Sequence, residues 1–356
     1  MTAVDLGRRA STWRIFYLCA SIILSALVFG VFLCRPGING YYRAMFGDMI
    51  YGTAAEPFVH RALLPTAVRL VMLAIPPNTA TAIHYSLGEH TAVKNLFTIL
   101  GWEQEYLIEY FIAILLMYMS LWGFVWALRY LLSGVYRVSP RVRDVFTLVT
   151  LVGLTQFFRY YSYLYDFPAV FLFTLGLALM ARAKWKTFLV VYLIACLNKE
   201  TTILLTVVFA LHFWSRTRMT RARFAGLLLA QLAIFAAVNI VLFAAFRDNP
   251  GSFAEVHFPH HNLEVLGAYP LATVFGWCGL VLLLFYKWSD KPLFLRHSLW
   301  IVVPLVALTF CLGYLDELRD YYEAYPVVAL LLLHSVGRVW GFEAVPVTYP
   351  ASAGAD

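Results

Sequence analysis

The sequence predicts an all-α, polytopic membrane protein of about ten spans, and three observations carry that reading. Of its 356 residues, 62% are hydrophobic and only 13% charged, with a mean hydropathy of +0.73. A soluble domain carries about 25% charged residues and cannot hold so much apolar surface in water. The apolar residues fall in long separate runs, and the basic residues gather between alternate runs, as the positive-inside rule requires.

The first run, 13–34, follows Arg8, Arg9 and Arg14. It is too long for a signal-peptide core and no small-residue cleavage site follows it, so it reads as a retained signal anchor. A long first outer loop, 35–105, comes next. It holds one apolar run, 62–76, which is short and carries Arg69, and so predicts a helix in the membrane interface. Runs 106–131, 224–246, 270–286, 297–313 and 324–340 each read as one membrane helix.

Two stretches are hairpins. As a single helix, 145–181 would reach about 55 Å against a bilayer core of about 30 Å, with Arg159 and Asp166 in its middle. It must fold back near 160–168. The stretch 187–214 has basic flanks on both sides, Arg182, Lys184 and Lys186 before it and Arg216, Arg218, Arg221 and Arg223 after it. Equal flanks require an even number of crossings, hence two short helices meeting at Asn198, Lys199 and Glu200.

With ten spans and both termini cytoplasmic, the inner segments hold 18 of the 27 Lys+Arg and 5 of the 20 Asp+Glu. The net charge of +7 is therefore topology, and it argues for no nucleic-acid partner. The chain reads as one transmembrane domain, 1–356, with a basic start at 1–12 and a short tail at 341–356. A bacterial inner membrane suits this pattern. Cys19, Cys34, Cys196, Cys278 and Cys311 lie in or beside apolar runs without ligand spacing and read as packing residues. No internal repeat stands out.

The polar residues that remain collect at the outer ends of the helices. Asp48 lies in the first loop among aromatics and next to Gly47, and is the candidate general base, or else a solvated loop aspartate. Arg61, beside His60, presents a planar donor for phosphate or a headgroup anchor. Glu103, Glu105 and Glu109 crowd the start of the second span, where Glu105 and Glu109 share a helix face. The segment 157–168 places Arg159, Tyr160, Tyr161, Tyr163, Tyr165 and Asp166 at one tip, either an aromatic belt or a sugar platform beside a phosphate. At the next tip, Lys199 and Glu200 are costly at membrane depth and so mark function, or else an ion pair that fixes packing.

His257, His260, His261 and Glu264 lie in one loop, where zinc ligation competes with contacts from a lid. The last turn, 315–326, is the densest polar cluster. If helical, it pairs Arg319 with Glu323 on one face and Glu317 with Tyr321 on another.

Together these features resemble the GT-C class of integral-membrane glycosyltransferases. The resemblance rests on the long first loop with Asp48, Tyr51 and the Pro57-Phe58 to Pro65 stretch, and on the polar tips Tyr165-Asp166, Asn198-Lys199-Glu200 and Glu317-Leu318-Arg319 with Glu323 and Pro326. Two features depart from the class. Gly47 and Met49 flank Asp48 where many members carry paired acids, and there is no soluble domain of the kind larger members have.

The resemblance implies a sugar transferred with inversion from a polyprenyl-phosphate donor to a glycan, lipid or protein acceptor among membrane lipids. Asp48 would be the base. Arg61, Arg159, Lys199 and Arg319 would meet the phosphate, with Tyr163, Asp166, Glu200 and Glu317 around the substrate. No cofactor is required by this chemistry, and a divalent metal is an option it leaves open. Two rivals stand beside it: a lipid or solute transporter or flippase using the same cations, and a noncatalytic membrane assembly protein.

Overall fold

A computed structural model describes residues 3–35, 37–214, 219–252 and 260–347, with side chains from Ser11 onward. Arg216, Arg218, His257, the end of the tail and the side chains of Arg8 and Arg9 lie outside the described residues. The chain forms α1 (Ala3–Cys34), α2 (Phe46–Tyr51), α3 (Leu63–Ala74), α4 (Pro77–Gly88), α5 (Thr91–Leu100) and α6 (Leu107–Val135). It continues with α7 (Pro140–Gly153), α8 (Asp166–Ala181), α9 (Trp185–Cys196), α10 (Ile203–Phe213) and α11 (Arg221–Phe246). Last come α12 (His260–Ala268), α13 (Leu271–Phe285), α14 (Leu293–Ser298), α15 (Val302–Leu312) and α16 (Tyr325–Trp340).

Among the described residues, four helical segments are long and apolar enough to cross a membrane: Ser11–Cys34, Gln104–Val135, Arg221–Phe246 and Leu293–Leu312. A fifth is added if α12 and α13, bent by 95°, count as one. Their outward faces are apolar as well. Ile23 and Leu27 on α1 and Leu229 and Ile240 on α11 are each about 60% exposed, which suits a lipid surround and not water.

The centre is α6. Ala113, Met117, Leu121, Phe124, Leu128 and Leu131, spaced three and four residues apart, are fully buried, so one face of the helix meets α8, α1, α3 and α7. Lipid tails are as apolar as leucine, so close packing holds such a bundle together more than transfer from water does. At Gly176 on α8 an added methyl would lie 2.7 Å from the Leu205 side chain of α10, an approach that the missing side chain permits.

Both stretches predicted to fold back are broken into two helices. The helices α7 and α8 are separated by the turn around 158–165, and α9 and α10 by a short 3-10 turn at Glu200–Thr202. The first loop differs from expectation. It folds into α2, α3, α4 and α5, where one interfacial helix was predicted, because α4 and α5 alternate Asn78, Thr79, Ser86, Lys94 and Asn95 with apolar residues and leave no long apolar run. The all-α reading also misses one two-residue ladder. Tyr136–Arg137 pairs antiparallel with Val345–Pro346, which ties the tail to the end of α6.

The two ends of the bundle carry different polar chemistry. At one end, the Leu63 amide donates to Leu197 O at 2.9 Å, and Asn249 Nδ2 donates to Gly52 O and Ala54 O at 2.9 Å each. The first loop is thereby sewn to the ends of α9 and α11. At the other end, buried Asp144 on α7 accepts from Trp13 Nε1 at 3.0 Å, Arg129 Nε at 2.7 Å and Arg143 Nε at 3.1 Å. Three helices are locked there through one carboxylate.

Candidate functional site

Three cations from separate parts of the chain meet where α3, α8, α10 and α16 begin. Arg61 precedes α3 and is 9% exposed. Its Nη2 donates to Glu200 Oε1 at 2.8 Å and its Nε to Glu200 Oε2 at 3.4 Å, a two-pronged grip on a carboxylate. Its Nη1 donates to the Tyr165 hydroxyl, and the guanidinium lies 4.2 Å from the Tyr165 ring centre and 5.4 Å from that of Phe58. Burial works against the Arg61 charge, but the Glu200 carboxylate and Tyr165 more than offset it, so its pKa stands above the ordinary value.

Lys199 is the residue before Glu200, and the two side chains part. Lys199 Nζ lies 3.1 Å from Glu323 Oε1, which also accepts from the Thr201 hydroxyl. Glu323 is 1% exposed. Its partner is thus Lys199 and not Arg319, as the helical reading of the last turn predicts. The reason is local: Leu318–Tyr321 is a 3-10 turn, which does not align residues four apart. Arg319 instead donates from Nε to Glu317 Oε1 at 2.6 Å, with Nη1 3.9 Å from Asp166 Oδ1.

Aromatic faces floor the network. Arg319 lies 4.4 Å from the ring centre of Tyr163, and Tyr163 stacks on Tyr165 at 5.2 Å with an interplanar angle of 6°. Each guanidinium therefore sits over one of two stacked phenols. The turn that holds them is set by two bonds: the Tyr163 amide donates to Asp166 Oδ2 at 2.9 Å, and Asn198 Nδ2 to Tyr165 O at 3.1 Å. Asp166 thus shapes the tip as well as facing Arg319. Glu317, in the last outer turn, has its carboxyl pushed upward by burial, against the pull of Arg319.

Of the predicted residues, Arg61, Tyr163, Asp166, Lys199, Glu200, Glu317 and Arg319 come together. Arg159 is exposed beside this group and influences Tyr160 and Tyr269 only through its charge. Asp48 lies elsewhere, in the first loop. It is exposed on α2 and accepts from Thr53 Oγ1 at 2.8 Å. Burial and Glu105 raise the Glu103 carboxyl, and the Asp48 charge adds a smaller push in the same direction.

Gly47 does not open a way for a ligand. Its bare Cα is covered by the Tyr106 ring, which a methyl would overlap. Next to it, the Tyr51 hydroxyl donates to Glu109 Oε1 at 2.6 Å, and burial and Glu109 push the Tyr51 phenol up to about 12. A hollow of about 470 Å³ opens on this side, lined by His84, Glu89, Glu105 and Glu109 among others.

His260 pairs with Glu264 at 3.2 Å and His261 with Asp316 at 3.7 Å. Asp316 also accepts from the Tyr160 hydroxyl. Among the described residues no group of three or more His, Cys, Asp or Glu side chains is arranged to hold a metal ion.

The structural donor role of Asn198 and the shared platform at Tyr165 carry no signal in the sequence. The same is true of Lys291 at the opposite end. That residue is 2% exposed and donates to Leu284 O, Leu331 O and Ser335 Oγ at 2.6, 2.9 and 2.9 Å. Its place in a basic loop with Lys287 hides it in the sequence, and only the fold shows that it closes the last carbonyls of α13.

The fold and site define a helical, multi-pass membrane-type architecture with a buried network of cations, carboxylates and stacked tyrosines at one end of the bundle. No family model, no curated protein and no solved structure matches the chain.

Proposed function

We propose that the protein is a membrane glycosyltransferase of GT-C type, which moves a sugar from a polyprenyl-phosphate donor to a glycan, lipid or protein acceptor at the outer face of a cell membrane. In this reading the short helices α7 to α10 and α16 complete a set of about ten crossings, with both termini cytoplasmic. The observation that carries it is the placing of Arg61 and Arg319 over the Tyr163–Tyr165 stack, with the Lys199–Glu323 pair beside them. A departing phosphate needs clustered donors in a site that excludes water, and a sugar ring needs a flat apolar face.

The carboxylates around the cations give the network its stability without substrate, since an unpaired buried charge costs several kcal/mol. They also place acids beside the sugar. Asp48 remains the proposed base. Its carboxylate is exposed on a short helix of the first loop, apart from the cation cluster, so the role requires the donor sugar to reach from the bound phosphate to Asp48. Transfer then needs no cofactor: Asp48 takes the hydroxyl proton, the acceptor oxygen bonds to the anomeric carbon, and the polyprenyl phosphate leaves with the bonding electrons. A divalent metal, if used, would join the phosphate.

In a purified, lipid-reconstituted assay, wild-type protein should consume a polyprenyl-phosphate sugar in the presence of an acceptor. Asp48→Asn should lose at least a hundredfold of the rate while staying folded. Normal turnover by Asp48→Asn would remove Asp48 from the role.

A transporter is the second reading, because Lys291 and Asp144 are buried at the opposite end. Both are fully engaged there, Lys291 by helix carbonyls and Asp144 by two arginines and Trp13. Such contacts suit helix locks better than stations on a path.

A further inference from the structure

Resting on the phosphate-binding reading above, we infer that Glu200 is an internal substitute for the substrate phosphate: its carboxylate holds the Arg61 fork when the site is empty and swings out when a phosphate ester binds. The first support is the shape of the contact. Arg61 offers Nη2 and Nε to the two oxygens of Glu200 at 2.8 and 3.4 Å, and two oxygens of a phosphate fit the same fork.

The second support is the inequality of the partners. The Arg61 side chain is 10% exposed and that of Glu200 is 37% exposed. Arg61 is fixed from behind by the Tyr165 hydroxyl and by the Tyr165 and Phe58 rings. Glu200 has no second side-chain partner of that kind among the described contacts and stands at the open side of the pair. In an exchange the guanidinium stays in place and the carboxylate leaves.

The third support is the contrast with Glu323. It is 1% exposed and clamps Lys199 and Thr201 together, so it cannot leave without stranding a buried ammonium. Of these two carboxylates, only Glu200 is placed to give way.

The consequence is competition: Glu200 lowers the affinity of the empty site for anions and keeps it from capturing stray phosphate. The test is binding of geranyl phosphate and, separately, inorganic phosphate to the detergent-purified full chain by calorimetry. Glu200→Gln keeps the volume and removes the charge, and should bind geranyl phosphate about tenfold more tightly than wild type. Arg61→Ala should lose most of the binding, and Arg61→Lys, which lacks the fork, should lose the gain when combined with Glu200→Gln. A larger gain for geranyl phosphate than for inorganic phosphate marks a lipid headgroup as the natural anion; equal gains mark phosphate itself.

Weaker or unchanged binding in Glu200→Gln would overturn the inference. Glu200→Ser, with thermal melts of each variant, separates that result from misfolding. Because the readout is anion binding, sugar transfer can fail while this inference stands. Transfer by a protein whose Glu200→Gln variant gains no affinity would sink the inference alone.

Discussion

At the level of single residues, the site is a set of buried charges that satisfy one another. Arg319 shows this most clearly. Its Nε donates to Glu317 at 2.6 Å, its Nη1 lies 3.9 Å from Asp166, and the Asp320 carboxylate adds a further attraction, so a phosphate oxygen at Nη1 would compete with these acids. Arg319→Ala should raise the apparent KM for the polyprenyl-phosphate sugar at least tenfold, equivalent to about 1.4 kcal/mol. Steady-state kinetics against donor concentration checks this, and an unchanged KM would take Arg319 out of the phosphate site.

The identities of these residues were readable from sequence because charged side chains beside apolar runs stand out on energetic grounds. Their partners were not. Glu323 was predicted to meet Arg319 within its own turn but pairs with Lys199, more than a hundred residues away, since a 3-10 turn and tertiary packing override the four-residue rule. Asp48 likewise stood out, but the glycine beside it serves the Tyr106 ring and not a ligand.

At the scale of elements, function depends on short helices held in place by close contacts. The six-residue helix α2 carries Asp48 and docks by laying Gly47 under Tyr106, with Phe46 stacked 3.7 Å from Tyr110. Gly47→Ala should push the Tyr106 ring aside, lower the melting temperature by several degrees and reduce transfer through misplacement of Asp48. Pairing it with Tyr106→Leu should recover part of the loss, a coupling of about 0.5–3 kcal/mol in a double-mutant cycle. Strictly additive effects would show that α2 does not dock this way.

The breaks near 158–165 and 197–202 are legible in the sequence because the lengths and basic flanks of those stretches conflict with a single crossing. The helices α4 and α5 are not, because a partly exposed amphipathic helix leaves no run of apolar residues to count. The 95° bend between α12 and α13 falls at Tyr269 and Pro270, where proline cannot continue a helix.

At the scale of the molecule, the two ends of the bundle divide the work. One end is locked by Asp144, Lys291 and a short strand pair. The other gathers tips that are separated by 139 residues between Arg61 and Glu200 and by 122 between Thr201 and Glu323. Convergence over such separations is a property of the packed bundle, and a single sequence gives the tips without their meeting. The class of architecture was legible from composition, whereas the site as a site needed the fold.

The central claim is that this gathered end binds the phosphate of a polyprenyl lipid. The most direct measurement is the attachment site of a photoreactive, phosphate-headed polyprenyl probe on the full chain in lipid, read by mass spectrometry. The account predicts labelling within 58–65, 160–166, 198–202 and 316–323, suppressed by excess polyprenyl phosphate and lost in Arg61→Ala. Labelling centred on Asp144 and Lys291 at the opposite end, or labelling unaffected by competitor, would contradict it.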